Sequence, residues 1–362
     1  MKKIIKIVLG VDVAQKELVV CLGKVYEDFC QELIARKIFA NSPKGFSELF
    51  KWVTKLCGKE IEVHYVMEAT GVYHESFAYF LDNLKVRISI ILPNKISNYI
   101  KTLNVKTITD KTAADAICQF GLERKLDTWK APIPLYRTIR QLTRERDQIV
   151  AERTVLKNQL HAESVEAYPN KNSVKRINVR IKLLDKQVGQ IMDELKKMVT
   201  ENEELKHSVE LICSIPGIGL LTACVILAET NNFDLIRNKK QLTSYAGLDV
   251  KEKESGTSIK EKSCISKRGN KYLRKAMHLP SLSTIRHSDR YKAIFARLVS
   301  KHGIKMKAST AIQRKLLELS YILVKNNHPY DPKFLVEKND EENKKEPVLK
   351  IPTPLQSDKL ST

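Results

Sequence analysis

The fold class follows from residues 4–14, "IIKIVLGVDVA", an apolar run rich in β-branched residues that carries one carboxylate, Asp12, near its end. Such a run predicts a buried strand. Two more strand-like segments follow, "ELVVCLGKV" (17–25) and "ELIARKIFAN" (32–41), in the pattern of a meander. Beyond them, segments with helical and strand patterns alternate. This order predicts a mixed sheet with helices on its faces, an α/β domain over residues 1–132.

The alternating part begins with a helix over "SPKGFSELFKWVTKLC" (42–57), with Ser42 as its N-cap and Pro43 at its first position. Three segments continue it: a strand "IEVHYVME" (61–68), a helix "GVYHESFAYFLDNL" (71–84) and a strand "VRISIILPN" (86–94).

A long helical hairpin or coiled coil is predicted for residues 133–205, because apolar residues recur there at alternating steps of four and three. The break "YPNKNS" (168–173) separates two helices. The spaced positions are Leu135, Ile139, Leu142, Arg146, Ile149, Arg153, Leu156 and Leu160, then Val174, Ile177, Ile181, Leu184, Val188, Ile191, Leu195 and Met198. The seam fits a hairpin closed within one chain and an arm that joins chains equally well.

Residues 206–336 read as a mostly α-helical basic domain, and residues 337–362 as a charged, proline-containing disordered tail. The chain of 362 residues has 63 Lys and Arg against 42 Asp and Glu, a net charge of +21. Such an excess favours a polyanionic partner, since each neutralised phosphate releases counterions. A merely basic or ribosome-associated protein has the same composition.

The seven cysteines form no CxxC pair and are odd in number, which argues against a zinc site or a disulfide framework and for a reducing, cytoplasmic setting. The N-terminal apolar run meets Asp12 without a small-residue cleavage site, so it is interpreted as a strand and not as a signal peptide. No stretch approaches the roughly 20 apolar residues of a membrane span.

Three carboxylates of the first domain are candidate metal ligands. Asp12 lies within the first strand, Glu68 ends the strand "VHYVM", and Asp110 lies in "TITDKTAADAI" (107–117) with Asp115 five residues later. Carboxylates at the ends of neighbouring strands and on a nearby helix are typical of sites that hold Mg²⁺ or Mn²⁺ for phosphoryl transfer. Each also has a structural alternative: a strand-end residue for Asp12, a lysine pair for Glu68, and a helix N-cap for Asp110.

A second candidate centre is Ser255, in the polar segment from Lys251 to Lys275, which has nine basic residues against three acidic ones. Its composition predicts a surface loop that meets a polyanion, where a serine is either a turn residue or a nucleophile.

These motifs, in order, resemble the DEDD-type transposases of bacterial insertion sequences over residues 5–330. The resemblance rests on "GVDVAQKE", "MEATGVYHE", "TDKTAAD", the heptad arm, "SIPGIG", "YAGL" and "ESGTSIKEKSCISKRGN". It implies a RuvC/RNase H-like N-terminal domain, a C-terminal transposase domain with a catalytic serine, and a non-coding bridge RNA that pairs with target and donor DNA. It also implies a homo-oligomer, a dimer or tetramer, in which the metal domain of one subunit meets the serine domain of another. Such a protein would be associated with the nucleoid.

By this resemblance Asp12, Glu68 and Asp110 are the first three acids and Ser255 is the nucleophile. The fourth acid departs from the pattern, because Ala113 stands at the family position and Asp115 is the nearest acid. On a regular helix, Asp115 lies about 140° around from Asp110. We expect Asp115 near the site, which requires a late helix start with Thr112 as N-cap.

Basic and glycine residues complete the candidate site. Lys267, Arg268, Lys271, Arg274 and Lys275 follow the serine, and the last three share a helix face suited to gripping phosphates. "SIPGIG", with Gly217 and Gly219, resembles a helix-hairpin-helix turn that binds phosphate through backbone N–H groups; a packed helical turn is the alternative. For the whole chain, the alternatives to a transposase are a RuvC-like structure-selective nuclease and a non-catalytic nucleic-acid-binding protein.

Overall fold

The computed structural model describes residues 3–58, 62–69, 71–103, 107, 109–251, 254–255, 259–260 and 264–332, with the backbone alone at 254–255 and 259–260. The chain divides into two compact units, Met1–Pro132 and Ile133–Thr362. Among the described residues, no helix is both long enough and apolar enough to span a membrane.

The first unit is built on a five-stranded mixed sheet in the order β3-β2-β1-β4-β5. Its strands are β1 (Ile4–Val13), β2 (Glu17–Tyr26), β3 (Gln31–Ala40), β4 (Val63–Glu68) and β5 (Arg87–Ile91). β2 runs antiparallel to β1 and β3, whereas β4 is parallel to both β1 and β5. The predicted meander within a mixed sheet is therefore confirmed, and the later strands prove to be parallel to β1.

Four helices cover this sheet: α1 (Pro43–Cys57), α2 (Glu75–Asn83), α3 (Pro93–Ile100) and α4 (Asp110–Glu123). Ser42 caps α1 by accepting a hydrogen bond from the Gly45 N–H, as predicted. The strand predicted to run through Asn94 was wrong at its end, because β5 stops at Ile91 and α3 begins at Pro93. Proline is favoured at the first helical position, where its missing N–H costs no hydrogen bond.

Apolar cores lie on both faces of the sheet. One packs Leu9, Val11 and Leu18 against α1 and α2. The other packs Val8 and Cys21 against α3 and α4. Gly10 lets α4 approach β1 closely, since a Cβ there would lie 2.3 Å from the Cys118 backbone nitrogen.

The second unit is mostly helical. Its elements are α5 (Pro134–Val165), α6 (Lys171–Glu201), α7 (Glu203–Cys213), α8 (Leu220–Thr230), α9 (Lys239–Ala246), β6 (Val250–Lys251), β7 (Glu254–Ser255), β8 (Ile259–Lys260), β9 (Cys264–Ile265), α10 (Lys271–Ala276), α11 (His278–His287), α12 (Asp289–His302) and α13 (Lys305–Asn326).

The two long helices α5 and α6 pack against each other within the chain. Asn170 caps α6 by accepting from the N–H groups of Asn172 and Ser173. Far along the hairpin, Leu156 packs with Ile177, Ile181 and Leu184 in a small apolar cluster of its own. The other end of α5 joins the main core of the unit through Ile139 and Leu142. At least part of the heptad seam is thus filled by the chain's own helices.

Candidate functional site

Asp12 and Glu68 lie at the same edge of the first unit's sheet. In the parallel pair β1–β4, Val11 is in register with Met67, so Asp12 and Glu68 occupy the next position on each strand. Glu68 ends β4, and Asp12 is the second-last residue of β1. The parallel pairing therefore brings together two carboxylates that are far apart in sequence.

Asp110 is brought to this edge by α4. The helix begins at Asp110, and Thr109 caps it by accepting from the Thr112 N–H while the Thr112 side chain accepts from the Thr109 N–H. One turn further on, the Ala114 carbonyl lies against Gly10 of β1. Gly10 and Asp12 share a face of the strand, because alternate residues point to the same side. The start of α4 therefore lies near Asp12.

The pKa of Asp12 is raised from its usual 3.8 to about 6. Burial is the largest cause, followed by the negative charges of Asp110 and then Glu68, while a hydrogen bond from the Val13 backbone opposes them. The three acids are thus close enough for their charges to act on one another. Repulsion of this kind is relieved when a cation binds between the carboxylates.

An all-oxygen set of carboxylates fits a hard divalent cation such as Mg²⁺ or Mn²⁺. Within the described ranges, no three His, Cys, Asp or Glu side chains converge closely enough to hold an ion. The chemistry of the three carboxylate donors nevertheless fits such an ion.

Asp115 does not join these acids. Its carboxylate accepts two hydrogen bonds from Arg36 of β3, at 2.7 Å from Nε and 3.1 Å from Nη2. Its charge is also not among the causes of the raised Asp12 pKa. The expected late helix start with Thr112 as N-cap is wrong, since Thr109 is the N-cap and Asp110 the first helical residue. On a regular helix five residues of rotation then carry Asp115 away from Asp110.

Ser255 lies on a short hairpin of the second unit. The backbone of β7, Glu254–Ser255, pairs antiparallel with β8, Ile259–Lys260. Nearer the body of the unit, Val250 pairs with Ile265 and Lys251 with Cys264. Below these pairs, the Ser266 hydroxyl donates to the Asp249 carboxylate at 2.5 Å. Both ends of the segment that carries Ser255 are therefore fastened at one base, called here the hairpin base (residues 247–250 and 265–270).

Sequence reasoning missed the buried carboxylate that holds this base. Glu229 of α8, with a side chain 1% exposed, accepts two hydrogen bonds from Arg144 of α5, at 2.7 and 2.8 Å. It also accepts one at 2.6 Å from the side-chain amide of Asn270. Asn270 in turn caps α10 and donates its backbone N–H to the Tyr245 carbonyl. The available signal was a single acid at the end of the apolar run "LLTACVILAE".

The predicted phosphate-gripping residues divide into two groups. Arg274 donates to the Ala246 carbonyl at 2.8 Å, and Lys275 pairs with Asp147 of α5 at 2.9 Å, so both have partners within the unit. Lys267, Arg268 and Lys271 are exposed. Lys271 lies over the Tyr272 ring at 5.1 Å, so Lys267 and Arg268 are the predicted residues for which the described part of the chain shows no side-chain partner.

Gly217 and Gly219 also differ from each other. Gly217 has φ +88°, and a Cβ there would lie 2.6 Å from the Thr284 hydroxyl oxygen of α11. That hydroxyl also donates to the Pro216 carbonyl at 2.6 Å. The turn is thus packed against α11 at Gly217, whereas Gly219, the N-cap of α8, faces open space.

Two family models match the chain. One, for DEDD transposases of the IS110 type, matches residues 9–169. The other, described as "Transposase IS116/IS110/IS902 family", matches residues 209–296. The first match includes Asp12, Glu68 and Asp110, which we call the acidic edge, and the second includes the hairpin base; together they cover more than half of the chain. The chain belongs to the IS110 family of DEDD transposases. It is thus a DNA transposase, and the resemblance stated from its motifs is confirmed at that level.

Similar proteins span from about a third to nearly all of the transposase. A pilin gene-inverting protein of Moraxella bovis is 29% identical over 336 residues, which cover 91% of this chain and 99% of that protein. A transposase for insertion sequence element IS1111A of Coxiella burnetii is 23% identical over 73% of this chain and 78% of its own length. Among solved structures, RuvC of T. thermophilus in complex with a Holliday junction substrate matches 34% of this chain and 99% of its own, at 11% identity and a TM-score of 0.26.

Proposed function

We propose that this transposase cuts and rejoins DNA through a covalent link to Ser255, with a divalent metal ion, Mg²⁺ or Mn²⁺, held by Asp12, Glu68 and Asp110. The observation that supports the metal site is the parallel register of β1 and β4, which sets Asp12 and Glu68 at neighbouring positions of one sheet edge, and the charges of Asp110 and Glu68 help to raise the pKa of Asp12. The strand order, with β2 alone antiparallel to its neighbours, supports a RuvC/RNase H-like first unit.

In the proposed reaction, Ser255 is the nucleophile that attacks the DNA backbone. The Ser255 oxygen forms a bond to a DNA phosphorus, and the bond from that phosphorus to a deoxyribose oxygen breaks. The leaving oxygen keeps the electron pair and takes up a proton, while the serine hydroxyl gives up its own. A hydroxyl of the new strand later attacks the phosphoserine, so the strands rejoin without ATP. A bound metal would stabilise negative charge on the phosphate oxygens.

The hairpin base supports the serine's role. It fixes both ends of the segment on one scaffold through the Asp249–Ser266 hydrogen bond and the Glu229–Asn270 hydrogen bond. The exposed Lys267, Arg268 and Lys271 lie beside it, where they would bind phosphates flanking the cut.

The proposal extends to partners. The net charge of +21 supports binding to DNA and to a structured non-coding bridge RNA, which the family resemblance implies. The α5–α6 hairpin is the proposed oligomerisation arm of a dimer or tetramer. RNA that copurifies with the protein, and that pairs with two DNA sites, would support the guide role.

The deciding experiment traps the covalent link. The purified protein is incubated with end-labelled substrate DNA and Mg²⁺, denatured in detergent, and analysed on a gel. The wild type and the control Ser258→Ala, which removes another hydroxyl of the same segment, should retain label, and Ser255→Ala should not. An adduct that survives in Ser255→Ala would refute the serine, and cleavage without any adduct would favour a RuvC-like nuclease.

A further inference from the structure

A cleft of about 430 Å³ lies in the second unit between α5, α8, α10 and α11. We call it the α5/α10 cleft. Its volume falls within the roughly 300–1,000 Å³ of small-ligand sites. One wall carries Lys275, which follows the hairpin base directly on α10, so the cleft adjoins the proposed nucleic-acid surface.

Arg146 of α5 lines the cleft with an unsatisfied donor. Its Nε is buried and has no hydrogen-bond acceptor among the described residues. A buried donor without a partner loses the hydrogen bonds that it makes to water in the unfolded chain, so such a group is expected to be satisfied in the working state. Arg146 occupies a position of the heptad seam where an apolar residue would pack better, which also points to a role other than packing.

The walls of the cleft suit a flat apolar ligand. Leu221 and Val225 of α8 and Tyr272 of α10 line it. The Arg144 guanidinium lies over the Tyr272 ring at 4.4 Å and helps to fix that ring in place. At the rim, Leu279 is 72% exposed, which leaves an apolar side chain next to the opening.

The charges of the cleft argue against a bare phosphate. Asp147 lines the cleft beside Arg146 and pairs with Lys275 at 2.9 Å. Its carboxylate would repel a phosphate dianion and would accept a hydrogen bond from an amino or imino group. His278, whose Nδ1 lies 3.3 Å from the Gln313 amide nitrogen, adds another polar ring to the lining. A ligand with a planar ring and both donors and acceptors on its edge meets all these requirements.

We infer that the α5/α10 cleft binds an unstacked nucleobase from a nucleic-acid strand. Arg146 donates to acceptors on the base edge, Asp147 accepts from its amino or imino groups, and the ring lies against Tyr272, Leu221 and Val225. Bases removed from a stack are held in this way by edge hydrogen bonds and aromatic or apolar faces. The inference rests on the nucleic-acid-binding part of the proposed function but not on the serine chemistry.

Photo-crosslinking tests the cleft directly. Single-stranded DNA and RNA oligonucleotides carrying 5-iodouracil are bound to the full-length protein and irradiated, and crosslinked peptides are identified by mass spectrometry. We expect a crosslink at Tyr272, and the more productive of the DNA and RNA arms identifies the source of the base. In Arg146→Met the yield at Tyr272 should fall at least about fivefold, because the variant loses the donor to the base edge.

Two further variants serve as a second test of the cleft and as a control outside it. Val225→Phe fills the cleft and should lower the yield in the same way, so the test does not depend on one substitution. Arg297→Met removes an exposed arginine of α12 outside the cleft and should leave the yield within about twofold. Binding of duplex DNA, measured by fluorescence anisotropy, is followed in parallel.

The outcomes separate the two proposals. Duplex binding with crosslinks elsewhere than Tyr272, or a yield unchanged in Arg146→Met, would overturn the cleft and leave the transposase proposal standing. Absence of any nucleic-acid binding by the wild type would overturn both.

Discussion

The two units differ in charge and in the way that each places its chemistry. The first unit, residues 1–132, has 20 Lys and Arg against 15 Asp and Glu, and the second has 43 against 27. In the first unit, parallel strands and a close-packed helix bring three acids to one edge of the sheet. In the second, the ends of the serine segment are held by backbone pairing and by side-chain hydrogen bonds, among them those to the buried carboxylate of Glu229. Sheet register positions the acids, whereas the hairpin base holds the segment that carries the serine.

The largest effect is expected from breaking the acidic edge. Asp12→Asn or Asp110→Asn should lower recombination by at least about a thousandfold, because a metal supplies several kcal/mol and each 1.36 kcal/mol is tenfold in rate. The control is Glu48→Gln, which removes an exposed acid of α1. Recombination is measured by conversion of a reporter plasmid, and DNA affinity by anisotropy. Full conversion in EDTA, or by either variant, would contradict the metal role.

The next prediction asks which unit supplies the lysine and arginine side chains that bind the phosphates of DNA. We expect affinity for DNA to fall about a thousandfold between 50 and 200 mM salt, because lysine and arginine side chains that bind phosphates release counterions. Replacing Lys267, Arg268 and Lys271 together with glutamine should lower the slope of log affinity against log salt by up to about 0.9 for each phosphate that is no longer neutralised.

The matched control for the salt experiment changes three exposed lysines of α1 in the first unit, Lys44, Lys51 and Lys55. It should change the slope much less. Equal slopes for the two triple variants would mean that phosphate binding is spread over both units, and a flat wild-type response would argue for a protein partner.

A substitution at Glu229 tests how much this buried carboxylate stabilises the second unit. Glu229→Gln leaves Arg144 without its counter-charge, and we expect it to destabilise the second unit by about 3 kcal/mol. Glu203→Gln, which breaks an exposed pair with Lys206, should cost less than about 1 kcal/mol. Both tryptophans, Trp52 and Trp129, lie in the first unit, so circular dichroism follows the helical second unit and fluorescence the first.

The change in stability is measured by urea denaturation, followed by circular dichroism and by tryptophan fluorescence. Glu229→Gln should move the circular dichroism transition to lower urea and leave the tryptophan transition in place. A shift of less than about 1 kcal/mol would show that Glu229 is not what holds the hairpin base.

What could be predicted from the sequence depends on how local the cause is. The strands of residues 4–41 and the cap at Ser42 follow from patterns within a few residues, and they were right. The N-cap of α4 is Thr109, fixed by a reciprocal pair of hydrogen bonds with Thr112. Either threonine could have offered a capping oxygen, and the prediction of Thr112 was wrong.

Non-local pairs were beyond the sequence. Nothing near Asp115 predicts that Arg36, 79 residues away, takes its carboxylate. Likewise, no spacing links Glu229 to Arg144 and Asn270. The placement of Asp12, Glu68 and Asp110 near one sheet edge was expected, because two of them end neighbouring strands and the third starts a helix close by.

The first unit has its own stability test at His64. Its Nε2 lies 2.8 Å from the Ser89 hydroxyl, which donates to the Asp127 carbonyl, so the imidazole is the donor. Burial, with the charges of Arg87 and Lys6, lowers the His64 pKa from 6.5 to about 4. Between these values the unfolded chain binds a proton that the folded chain does not. The contribution of His64 to stability therefore falls by about 2 kcal/mol from pH 7 to pH 5, while the raised pKa of Asp12 acts in the opposite direction over the same range.

This loss is measured by urea denaturation followed through tryptophan fluorescence at both pH values. His64→Gln keeps a donor for Ser89 but does not titrate, so its loss over the same range should be smaller by about 2 kcal/mol. Identical pH dependence in the wild type and the variant would show that His64 is not the group responsible.

The smallest effect is expected at Asp115, and it tests whether the acidic edge has three members or four. Asp115 pairs with Arg36, whose side chain is 48% exposed, and α4 starts too early to turn Asp115 toward Asp110. Mg²⁺ commonly keeps several waters, so three carboxylates suffice to hold it. Asp115→Asn should therefore keep recombination within about threefold of the wild type and cost at most about 1 kcal/mol of stability. Arg36→Gln should match it, and the double variant should add little, since both remove one pair. A loss as deep as that of Asp110→Asn, with an unchanged tryptophan transition, would instead make Asp115 a ligand that leaves Arg36 when the metal and DNA bind.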